Sequence, residues 1–143
     1  MSSPMGTLRD LAQQDVDDAT TALGKSQQAF LHAEQQLTML LNYQDEYRQR
    51  LNQGMSGGMD ASSWRNYQQF IRTLDQAIDQ HRLQLNQCNI RLATATRCWQ
   101  EKQQRLNAFC TLHERQEHQL KMQLNKQDQK RMDEYAQRAA MRR

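Results

Sequence analysis

Three stretches of the chain carry residue types that could do chemistry. Ala19-Thr-Thr-Ala-Leu-Gly24-Lys25-Ser26 comes close to a phosphate-cradling loop, with alanine where the first glycine belongs. Such a loop needs a preceding strand and free backbone N–H groups where a helix begins. Here Asp10 to Ala19 reads as charged helix, and the motif runs through Ala19, Leu23 and Ser26, which belong to an apolar helical stripe. In a continuing helix those N–H groups are already bonded, so no nucleotide is expected there. His113-Glu-Arg-Gln-Glu-His118 approaches the zinc pattern HExxH, but its histidines stand five apart rather than four. On a helix that turns the imidazoles about 140° from one another, too far for one ion. Cys88, Cys98 and Cys110 are odd in number and form no CxxC pair, which fits a reduced cytosolic chain. Long helices offer no concave pocket in which a nucleophile and a base could act on a substrate. The expectation is a non-enzyme without catalytic residues, metal or cofactor.

The elements that carry these residues are helical. Glutamine is the signature residue, with 24 copies, against 5 glycines and a single proline in 143 residues. Hydrophobic content of 37% and a mean hydropathy of −1.03 are too low for a layered core and suit helices that bury a stripe. The start, MSSPMGTLRD, lacks the apolar core of a signal peptide, and no run approaches 18 apolar residues, so neither a signal peptide nor a membrane span is expected.

Thr7-Leu-Arg-Asp10 has the form of a capping box and predicts a helix start there. From Val16 the 3-4 spacing is strict: Val16, Ala19, Leu23, Ser26, Phe30, Ala33, Leu37, Leu40, Gln44, Tyr47, Leu51. Asn52 to Ala61 then holds Gly54, Gly57 and Gly58, with Asp60 or Ser62 as an N-cap. The pattern restarts at Trp64, Tyr67, Ile71, Leu74 and Ile78 and continues through His81, Leu85, Cys88 and Leu92 to Leu106 and Phe109. A repeat of 3.5 residues sustained this long means supercoiled helices, and a short glycine loop folds two of them back on each other.

The predicted fold is therefore all-α, two long helices in an antiparallel coiled-coil hairpin, as a single domain over 1–143. Residues 1–7 are expected as a flexible start, 8–52 as the first helix, 53–62 as the glycine-rich loop and 63–140 as the second helix. With the turn near Gly57, Leu8 falls opposite residue 107. Beyond Phe109 the seam degrades into His113 and Gln116, which leaves a C-terminal overhang of about 30 residues, paired or frayed.

Charge and aromatics mark two places outside the seam. Net charge is +3, but residues 121–143 carry Lys121, Lys126, Lys130, Arg131, Arg138, Arg142 and Arg143 against Asp128, Asp133 and Glu134. A basic helix end is favoured by the helix dipole and equally suits an acidic partner. Tyr43 and Phe70 each stand one position before a seam residue, about 60–80° round the helix. In an antiparallel pair these flanks converge, so Gln36, Leu40, Tyr43 and Tyr47 lie beside Phe70, Leu74, Ala77 and His81. Two helices have no third layer to cover that face. The rings either shield the seam edge or form a partner-binding patch, the reading preferred here. His81 suits a register-setting polar residue better than a switch.

Three blocks, LLNYQDEYRQRLN (40–52), WRNYQQFIRTLDQAIDQHRLQL (64–85) and KRMDEYAQRAAMR (130–142), with DVDDA (15–19), resemble the flagellar export FliJ family of enterobacteria. The resemblance spans nearly the whole chain and is weakest at residues 1–8 and about 86–127. It implies a component of the bacterial flagellar type III export apparatus, an antiparallel coiled coil similar to the stalk subunit of rotary ATPases. Such a stalk enters the ring of the hexameric export ATPase and promotes its assembly. It contacts the cytoplasmic domain of the membrane export-gate protein FlhA and escorts export chaperones. The family's gate-contacting residues match Gln36, Leu40, Tyr43, Tyr47, Phe70, Leu74, Ala77 and His81, the stripe pair selected by geometry. Lys126, Lys130, Arg131, Arg138 and Arg142 are the candidates for acidic pore loops of the ATPase ring. The expected protein is monomeric when free and cytoplasmic, held peripherally at the inner membrane at the flagellar base. Two alternatives stay open: a nucleic-acid-binding hairpin using the basic tail, disfavoured by its interleaved acids, and a generic or parallel homodimeric coiled-coil scaffold.

Overall fold

The computed structural model describes residues 3–142 and contains two helices, α1 (Pro4–Ser56) and α2 (Ala61–Met141), with no strand among the described residues. Both helices are longer than the sequence pattern predicts, and the loop shrinks to residues 57–60. Each end has a local cause. The Ser3 hydroxyl accepts the Gly6 N–H at 3.0 Å, which makes Ser3 the N-cap and puts Pro4 at the first helical position. Thr7, expected as the cap, lies inside the helix and donates its hydroxyl back to the Ser3 carbonyl at 3.3 Å. Residues 4–7 of the expected flexible start are thus helical, and residues 1 and 2 lie outside the described residues.

α1 survives Gly54 and stops at Gly58, whose φ of 81° only glycine adopts at little cost. The Met59 N–H reaches back to the Gly54 carbonyl at 2.8 Å, and the Gly57 N–H bonds the Gln53 carbonyl at 2.9 Å. This is a left-handed helix terminus with its apolar clasp: the Met59 side chain lies where a Cβ on Gly54 would be. Gly54 is therefore spent on packing rather than on a bend. α2 then starts on Asp60, whose carboxylate accepts the Ser63 N–H at 2.7 Å.

The chain divides into two compact units, residues 19–99 and residues 1–18 with 100–143. In the first, the helices run antiparallel. Trp99 donates its indole N–H to Thr20 at 3.0 Å, Gln44 meets Ile71 and Asp75, and Tyr47 meets Tyr67 and Phe70. Every seam position the 3-4 spacing selects in this unit is buried or half-buried. Ala19, Ala33, Leu74, Ile78 and Cys88 are its most enclosed apolar residues. Cys88, Cys98 and Cys110 are all free thiols. The phosphate-loop look-alike is plain helix here, and Gly24 sits mid-helix with open space around its α-carbon.

In the second unit the core is Ala12, Val16 and Leu106, with Phe109 and Cys110 packed against it. Burying a leucine such as Leu106 contributes on the order of 1.5–3 kcal/mol, and the Arg105 guanidinium lies 5.7 Å from the Phe109 ring. Pairing continues past Phe109, where the sequence pattern places its end. Ser3, Gly6 and Arg9 line one depression with His113, Gln116, Glu117 and Leu120. The His113 side chain is only 15% exposed and meets Glu117 at 3.1 Å. The extra turn of α1 from Pro4 supplies this cover, so the last half-buried residue of α2 is His113 rather than Phe109. From Glu114 through Arg142 every residue is exposed. Among the described residues no helix is long and apolar enough to cross a membrane.

Candidate functional site

The aromatic surface lies in the 19–99 unit and consists of seam residues and their neighbours. Tyr47 is half-buried and packs on Phe70 with ring centroids 4.6 Å apart, tilted by 56°, and on Tyr67 at 6.0 Å. The Arg50 guanidinium lies 5.5 Å from the Tyr47 ring and also reaches Glu46 at 2.9 Å. Tyr43 and Phe70 remain 48% and 43% exposed, the half-open state expected of residues one position off a two-helix seam. The other sequence-selected positions differ in depth. Gln36, Leu40, Ala77 and His81 are half-buried, whereas Leu74 is buried in the core. Leu74 can shape the surface from beneath but offers little area to a visitor. The His81 Nδ1 is enclosed and has no hydrogen-bond partner among the described residues.

Beneath the rings lies a polar device that periodicity alone does not assign. Gln44, buried at 6% exposure, donates its side-chain amide to the Asp75 carboxylate and, at 3.5 Å, to the Ile71 carbonyl. Arg48 reaches the same Asp75 carboxylate at 3.7 Å. A buried polar side chain at a seam position tolerates only the register in which its partner stands opposite. The one-heptad signal was Gln44 itself, a polar break in an apolar seam. Its partner Asp75 sits off the stripe and gives no periodic sign.

The basic candidates lie in the other unit, on the unpartnered end of α2. Lys126, Lys130, Arg131, Arg138 and Arg142 are all exposed, whereas Arg143 lies outside the described residues. They do not form one surface. Arg131, Arg138 and Arg142 share one side of the helix with Tyr135, while Lys126 and Lys130 lie roughly 80–180° away by helical rotation. Tyr135, Arg138, Ala139 and Arg142 line a shallow groove along that side.

A model of the flagellar FliJ protein family matches residues 1–143. The chain belongs to this family. It is 51% identical over 138 residues to the Flagellar FliJ protein of Escherichia coli (strain K12), covering 96% of this chain and 94% of the relative. Identity to the Flagellar FliJ protein of Salmonella typhi is 52% over 136 residues, covering 95% and 92%. At that identity and coverage, the match extends across both compact units of this chain.

Proposed function

We propose that this family member is a non-enzymatic component of the bacterial flagellar type III protein export apparatus, a coiled-coil stalk between two machines. The terminal end of the hairpin inserts in the hexameric export ATPase ring and promotes its assembly. The loop-proximal aromatic surface meets the cytoplasmic domain of FlhA, and export chaperones are escorted by the same helices. A place at the inner-membrane face of the flagellar base follows from these partners.

One observation carries the reading. Tyr43 and Phe70 stay half-exposed beside a closed seam, with Tyr47 bracing Phe70 from below. Large rings braced on one side and open on the other are the usual anchors of protein interfaces. The test is a pull-down of purified export ATPase and FlhA cytoplasmic domain by the full chain and by a form ending after Leu120. The expected result is that the shortened form keeps FlhA and loses the ATPase. Loss of both, or retention of both, refutes the division of labour.

A further inference from the structure

The geometry points to Arg131, Tyr135, Arg138 and Arg142 as a single recognition stripe for a carboxylate-bearing protein segment, resting on the proposed seat of the tail in the ATPase ring. These residues follow one another by four, three and four positions, which holds them within about 60° of arc and spans roughly 16 Å of helix. Leu124, 53% exposed, lies on the same arc nearer the paired region. Tyr135 is 77% exposed. Among the described residues none of the three guanidinium groups is engaged in an ion pair.

The chemistry favours carboxylates. Planar guanidinium groups hold carboxylates through two parallel hydrogen bonds, and a tyrosine among them adds apolar area with a polar tip. Asp128 and Glu134 border the stripe on its two sides. Those flanking negative charges would repel the continuous phosphates of a nucleic acid but leave a narrow acidic loop room to lie along the arginines. Lys126 and Lys130, on other faces, contribute to long-range attraction and not to this contact.

Binding of the full chain to immobilised hexameric export ATPase tests the stripe. Arg131→Glu with Arg138→Glu is expected to weaken binding ten-fold or more. Lys126→Glu with Lys130→Glu changes net charge equally and is expected to cost less than three-fold. Circular dichroism at matched concentration should show equal helicity for both pairs. Equal losses would reduce the effect to bulk charge, and no loss from the arginine pair would remove the stripe; either overturns the inference. If the unsubstituted chain fails to bind the ATPase, the stalk reading falls and takes this partner with it. Retained ATPase binding by the arginine pair removes only the stripe. Tight binding of a 20-nucleotide poly-U RNA at physiological salt, lost in the arginine pair, would overturn the choice of a protein partner.

Discussion

Replacing Phe70 with alanine, and Ile78 with alanine as its control, separates a ring kept for a partner from a side chain kept for the fold. Ile78 is 3% exposed, whereas Phe70 is 43% exposed and packs on Tyr47. Fully buried Phe→Ala changes cost about 3–5 kcal/mol and Ile→Ala changes about 2–5. With close to half of Phe70 already in water, its truncation should cost about 2 kcal/mol, against about 3 for Ile78. At about 2–4 °C per kcal/mol for a chain of this size, Tm falls by roughly 4–8 °C and 6–12 °C. Binding should order the other way. Measured by calorimetry at a temperature where both variants are folded, Phe70→Ala weakens the FlhA cytoplasmic domain at least about ten-fold, worth about 1.4 kcal/mol. Ile78→Ala should stay within about three-fold, well under that. If the affinities instead fall in proportion to lost stability, with Ile78→Ala the worse, the aromatic surface is core edge and the gate contact lies elsewhere.

Other outcomes follow from the same geometry. Gln44→Leu removes the hydrogen bonds to Asp75 and Ile71 from the seam. It should leave thermal stability equal or higher yet loosen register, seen as a second population in distances between spin labels at Asp45 and Arg72. A single unchanged distance would show that Gln44 does not set alignment. Gly24→Ala adds a methyl into open space in mid-helix and should stabilise by about 0.8 kcal/mol, read as a rise in Tm. The Ser63 N–H holds the Asp60 carboxyl below its ordinary value of 3.8, so its capping contribution is present above that pH and lost as pH falls through the lowered value. Protection of the Ser63 amide, taken relative to its intrinsic exchange rate at each pH, should fall over that acid range in the unsubstituted chain and show no such step in Asp60→Asn, whose neutral oxygen still caps.

How far the chain could be read in advance differs from residue to residue. The two seams were legible because a helix pair must bury one stripe, and only a 3.5-residue repeat keeps that stripe facing its partner; every position so chosen, from Val16 to Phe109, is buried or half-buried. The half-open state of Tyr43 and Phe70 was legible for the same reason, since one step along a helix is a fixed rotation. Family membership was legible in the tyrosine–glutamine blocks that flank the loop.

Tertiary structure alone decided what depends on atoms brought together from distant positions or on a choice between equivalent local signals. Ser3 and Thr7 are both competent caps, and Ser3, followed by proline, starts the helix. That extra turn covers His113 and moves the exposed end of α2 past it. Gly54 and Gly58 are the same residue type, yet one makes room for Met59 and the other turns the chain, because only Gly58 stands where a positive φ is required. Asp75 became the partner of Gln44 through the register of two helices, a relation that no spacing within one helix encodes.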